Sequence, residues 1–298
     1  YDVNGTAEHH IAATNSWSLG GTTDYWDFAA ILYTFGTTGN WDTATNWWQG
    51  VLPNDNDNII VNVGVTLTTN GDRTINDIDI DGTLVVSVDA LTVNGASDID
   101  GTITISTGTV DANDTFDATG GFVTFTDAGN LNLDSTVTSL GTLSDNFGTV
   151  TYDGIDQTVF SDDYYSLTAG GGSGTKTLGG EVTVAGDLTI DTDVTIAMDT
   201  HLLTVTNITD IDGTLAVAGD TLTLDGTSDI DGTITISTGT VDANGAFDAT
   251  NGTITFTDAG NLRLDSTVTS LGTLSDNFGT VTYDGVDQVV FSDIYYSL

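Results

Sequence analysis

The sequence predicts an all-β chain folded as a right-handed parallel β-solenoid, and three observations carry that prediction. A long internal repeat sets a fixed period. Short β-type segments recur between Gly, Asp and Asn, with no helical periodicity anywhere. The motif DxDGT returns at a spacing that suits one coil. The stretch SDIDGTITISTGTVDAN at Ser97 to Asn113 recurs letter for letter at Ser228 to Asn244. Continued, Ser97 to Leu167 aligns without a gap on Ser228 to Leu298, and nine of the 71 positions differ, among them Asn132/Arg263, Ile155/Val286, Thr158/Val289 and Asp163/Ile294.

Taken in chain order, residues 1–38 match nothing later, and DYWDFAAILYTF at Asp24 to Phe35 is their most apolar run. Residues 39–59 form a Trp-rich segment, which leads through Pro53 and the cluster Asn54, Asp55, Asn56, Asp57, Asn58 into the first alternating strand near Ile60. All five Trp, Trp17, Trp26, Trp41, Trp47 and Trp48, lie in the first fifty residues. Stacked repeats leave an apolar end that needs covering, so these aromatics read as an N-terminal cap, with a carbohydrate-binding patch as the alternative. Residues 60–167 form the first solenoid repeat and 168–298 the second, and the pattern is expected to continue past Leu298.

Within the repeats, strands of four to six residues, in segments such as GTLVVSV, GTITIS and EVTVAGDLTI, alternate apolar and Thr or Asp positions, as half-buried strands do. DxDGT falls at Asp79 to Thr83, Asp98 to Thr102, Asp210 to Thr214 and Asp229 to Thr233, twice per unit with its Gly residues 19 apart. Coils of that size place about six turns in the 131-residue unit, an advance of roughly 29 Å at strand spacing. Gly and Asn are expected to supply positive φ at the bends. A β-sandwich array is disfavoured, because no two-residue hairpin signature recurs.

Composition narrows the function. The formal charge is −40, with Arg73, Lys176 and Arg263 the only Lys or Arg, so nucleic acid is excluded as an electrostatic partner and cations are favoured. Nearly all the acid is Asp, which suits turns. Zero Cys excludes disulfides, thiolate metal sites and a Cys nucleophile. No apolar run is long enough to span a bilayer, so no membrane insertion is expected.

The segment GTVTYDGIDQTVFSDDYYSLTAGGGSGTKTLGGEVTVAGDLTI (Gly148 to Ile190) resembles the repetitive surface and secreted β-helix proteins of Bacteroidota-type bacteria. GNWDTATNWWQGVLPNDNDNI (Gly39 to Ile59) is similar to the segment that introduces such β-helices. The resemblance covers about Gly39 to Leu298. It implies an extracellular or cell-surface location, export by type IX secretion and a role in adhesion or surface filaments, and it carries no catalytic residues.

Candidate chemistry is sparse. Asp79/Asp81, Asp98/Asp100, Asp210/Asp212 and Asp229/Asp231 each place two carboxylates one residue apart, as hard oxygen ligands for Ca²⁺ or as turn caps. The twelve-residue calcium loop and the GGxGxD repeat are both missing. An enzyme is not expected: cleavage of acidic polysaccharides needs cationic groups to hold its substrate, and the motif Asp residues occur in both copies rather than in one site. Of the neighbours Tyr164/Tyr165 and Tyr295/Tyr296, one of each pair should face inward. The sequence thus points to an acidic structural rod, a homo-oligomer or filament bundle with a cell-surface or glycan target. A glycan-binding module on a stalk is the alternative, and a polysaccharide lyase or hydrolase the less favoured one.

Overall fold

A computed structural model describes residues 31–275 and 278–298. Among these residues the chain is a parallel β-solenoid of about twelve turns, with thirty-seven short strands, three per full turn, and a single 3-10 turn, Ala44–Asn46, in place of any helix. Every strand pair is parallel and successive coils stack in register, so each sheet direction is also the rod axis.

Three faces result. The first runs through Leu32–Phe35, Asn58–Val61, Ile78–Ile80, Ser97–Ile99, Phe116–Asp117 and Val137–Ser139, and the second begins at Gly39–Asn40 and ends its first sheet at Thr142–Asp145. The third is one sheet of eleven strands from Arg73–Ile75 to Val268–Ser270. Above Val137–Ser139 and Thr142–Asp145, the first and second faces start again as two seven-stranded sheets, at Gln157–Val159 and Asp163–Tyr164. Two of the three ladders are therefore interrupted at one level, while the third runs through.

Alternation explains the core. In Thr102–Ile105 and Thr109–Ala112 every second residue is buried, and the inward Val, Ile, Leu and Phe from all faces join in one cluster from Tyr33 to Val281. Outward Thr stacks on Thr, as at Thr83↔Thr102 and Thr204↔Thr223. The motif glycines serve close approach rather than positive φ. A Cβ on Gly101 would collide with the carbonyl oxygen of Gly82, and one on Gly232 with that of Gly213, so the residue after DxD must lack a side chain where one coil turns tightly over the last.

The long duplicated unit is not a structural repeat of this solenoid. The repeating element is the coil, whose length varies: Thr149 pairs directly with Ser166 on the next coil, whereas Leu167 pairs with the more distant Leu188. Ser97–Ile99, Thr102–Ile105 and Thr109–Ala112 lie on the first, second and third faces; their copies Ser228–Ile230, Thr233–Ile236 and Thr240–Ala243 lie on the third, first and second. The copies are separated by twenty strands, six and two thirds turns, instead of the six turns expected from spacing alone. Equivalent residues consequently sit a third of a turn apart around the rod and about 32 Å apart along it.

Candidate functional site

Three constructions stand out along the rod: acidic ladders, an aromatic end and a polar-braced junction. In the first, Asp79, Asp98 and Asp117 stack on successive strands of the first face, and Asp210, Asp229 and Asp248 do the same on the third. Parallel in-register pairing forces this, because like sequence lies above like. Partial burial, then the neighbouring motif carboxylates, hold Asp79, Asp98, Asp210 and Asp229 above the usual carboxylate range.

The second Asp of each motif, Asp81, Asp100, Asp212 and Asp231, sits at the adjoining bend, where Asp231 accepts a hydrogen bond from Asn251 Nδ2 at 3.0 Å. Among the described residues, no three His, Asp or Glu side chains converge to hold a metal ion. Strand spacing separates successive carboxylates along a line instead of gathering them around a centre. Bend capping falls to other acids: Asp127 caps Ala128 N at 2.8 Å, Asp258 caps Ala259 N at 2.7 Å, and Asp77 reaches Ala96 N on the next coil at 3.0 Å.

At the N-terminal end of the described solenoid, Trp41 and Trp47 are buried with Tyr33 and Phe35. Trp47 lies edge to face with Phe35 at 4.9 Å and with Trp41 at 5.2 Å, and its Nε1 donates to the carbonyl oxygen of Trp41 at 2.7 Å. Arg73 lies over the Trp41 ring at 5.8 Å. Trp48 points outward, 67% exposed, against Gly36. Trp17 and Trp26 lie outside the described residues.

The junction is where the first and second ladders stop. The coil from Thr149 to Ser166 is shorter than its neighbours, and its first-face and second-face strands do not pair with the coil below. Inward polar side chains replace the missing ladder bonds. Gln157 donates through Nε2 to the carbonyls of Leu133 (2.6 Å) and Ser135 (2.8 Å), and its Oε1 accepts from Gly154 N (2.8 Å). Tyr152 OH accepts from Phe160 N at 2.9 Å, Tyr164 OH donates to Phe160 O at 2.6 Å, and the two hydroxyls meet at 3.0 Å. Burial pushes Tyr152 up to about 12.

Lys176, one register position above Gln157, is fully buried; its Nζ donates to the carbonyls of Gly154 and Ile155. Burial lowers its pKa against the opposing pull of Asp153, Asp156 and Asp134. Outside these braces, a cleft of about 530 Å³ opens between the interrupted strands, lined by Thr136, Val137, Asp156, Thr158, Thr175 and Thr177 among others. The second copy rebuilds the brace: Gln288 bonds Gly285 N, Leu264 O and Ser266 O, and Tyr283 pairs with Tyr295 at 3.1 Å.

As the alternation requires, Tyr164 is buried, while its neighbour Tyr165 packs against the exposed Phe147. Sequence reasoning passed over Lys176, Gln157 and Phe147. The signal for the first was present in GTKTL, where Lys176 is in phase with the inward Leu178.

No protein-family model matches this chain, and neither a curated protein nor a solved structure matches it.

Proposed function

We propose that this chain is a stiff acidic rod, a strand or stalk of an extracellular or cell-surface filament or adhesin, and that it does no catalysis. The observation that carries this reading is the uninterrupted third face, eleven parallel strands backed by one apolar core along the described chain. Backbone ladders running along the axis resist extension, and coil number sets reach. The acidic ladders, duplicated on different faces, make the surface repulsive to its own copies, so lateral association depends on salt or divalent cations. Cryo-electron microscopy of the purified chain at low and high salt tests this. Bundled multi-chain fibres appearing only when charge is screened support a filament, isolated rods at every salt support a stalk, and compact or flexible particles overturn both.

Trp48 favours a second reading, a glycan contact at the aromatic end, because its indole is the only one of the three described Trp that faces solvent. Titration of a polysaccharide panel against Trp fluorescence tests it. An unchanged spectrum removes this reading.

A further inference from the structure

Phenylalanine rarely occupies a left-handed backbone conformation, and rarely stays exposed where it does. Phe147 does both, with φ at 71° and 59% of its surface exposed, and its copy Phe278 repeats this at 79° and 60%. The local cause is the next residue. A Cβ on Gly148 would collide with the Phe125 ring, and one on Gly279 with the Phe256 ring, so each glycine is held over the core and the preceding bend turns its phenylalanine outward.

Each exposed ring meets a tyrosine of the following coil edge to face: Phe147 with Tyr165 at 5.2 Å and 62°, Phe278 with Tyr296 at 5.6 Å and 63°. Position 147 lies at the corner between second and third faces, and position 278 between first and second, so the two pairs face different directions. The same construction thus recurs on two sides of the rod, about 32 Å apart along it.

The surface around these pairs belongs to a chain of formal charge −40. Each of its three Lys or Arg residues is engaged elsewhere: Arg73 over Trp41, Lys176 on buried carbonyls, Arg263 between Asp242 and Asp284. A second copy of the chain would be repelled. A cationic side chain is drawn in by the field and then held by the aromatic face, as Arg73 is held by Trp41.

We propose that Phe147/Tyr165 and Phe278/Tyr296 are two equivalent docking sites for the Arg or Lys side chains of a basic polypeptide partner. The assignment stands whether or not the rod assembles into filaments.

The test uses the full chain and a blocked hexapeptide of alternating Arg and Gly, whose reach of about 21 Å cannot bridge both sites. Calorimetry at 0.15 M NaCl is expected to give two peptides per chain, with the Arg peptide bound more tightly than its Lys counterpart. Phe147→Asn keeps the charge and suits the left-handed backbone; it should leave one peptide per chain. The double change Phe147→Asn with Phe278→Asn should weaken binding by about tenfold or more.

If the Asn variants melt below wild type, Phe147→Leu with Phe278→Leu takes their place, an apolar but non-aromatic pair with the same expected loss. Unchanged affinity in the double variant would overturn the proposal in favour of unspecific condensation on the acidic surface. Broadening of the Phe147 and Tyr165 ring signals by a neutral hexose oligosaccharide, with no response to the peptide, would overturn it in favour of a sugar site.

Discussion

The two copies of the duplicated stretch differ at only nine positions, yet they occupy different faces of the rod. SDIDGTITI folds the same way on the first and second faces as on the third and first, with the same buried positions. Face identity is therefore not encoded. What the residues specify is a strand of given inward pattern followed by a bend of given length. A duplication needs only to end on a strand boundary for its neighbours to pair. The copies diverge where their surroundings differ. The first brace is closed above by the coil carrying Lys176, and Gln157 is buried; Gln288 and Tyr283 lie on the last coil before Leu298 and are half-buried.

The largest effect should come from Lys176, on the coil that follows the first copy. Lys176→Ala leaves the Gly154 and Ile155 carbonyls unmet and a hole beside them, and is expected to cost about 2–4 kcal/mol in denaturant unfolding. Lys176→Met fills the same space and removes the buried charge while leaving the carbonyls unmet, and should cost less than the Ala change, about 1–2 kcal/mol. Equal losses in the two variants would mean that the ammonium, not the packing, holds the junction.

Next comes the brace shared by both copies. Gln157→Ala should cost about 2–3 kcal/mol, and Gln288→Ala, whose partners reach water, about 1 kcal/mol. Equal costs would erase the distinction between the closed and open braces.

A pH titration addresses the ladders that both copies share. Asp79, Asp98, Asp210 and Asp229 bind protons more tightly folded than unfolded, so their protonation stabilises the fold. That contribution is complete below the ordinary aspartate value of about 4 and is lost as pH rises through the raised one. Tm at low ionic strength should therefore rise as pH falls from 7 toward 4, opposite to common acid denaturation, and salt should flatten the rise. A Tm that falls steadily over this range would contradict the ladder electrostatics.

The smallest effect concerns Arg263, which stands where the first copy has Asn132. Arg263 sits between Asp242 at 3.5 Å and Asp284 at 2.6 Å. A hydrogen bond from Asp265, together with Arg263, holds Asp284 below its ordinary range. In the first copy, by contrast, Asp111 and Asp153 are raised by burial and by Asp134. Arg263→Asn and Asn132→Arg should shift Tm slightly in opposite senses, and both shifts should vanish in 1 M NaCl, because exposed pairs are screened.

The solenoid and its inward residues were legible because period-two alternation and like-on-like stacking are local properties of the letters. The third-of-a-turn rotation was not. It depends on summing coil lengths that vary along the rod, and the short coil at Thr149 to Ser166 looks like its neighbours in sequence. From the sequence, DxDGT reads as paired carboxylates for Ca²⁺ or as turn caps. Only the second Asp is at a bend, while Asp79, Asp98, Asp210 and Asp229 are mid-strand and outward. The aromatic end was readable in Trp41 and Trp47, but the outward turn of Trp48 depends on its contact with Gly36.

A beam yields where its fewest springs act in parallel. At the junction only the third face carries a backbone ladder across, with the Gln157 side chain spanning the gap beside it, so flexing concentrates there, with the continuous sheet as the leaf of the hinge. In the second copy the equivalent bridge Thr280↔Ser297 lies on the second face, a third of a turn round the rod. A single leaf of this kind lets the rod bend more easily in one plane than in the other.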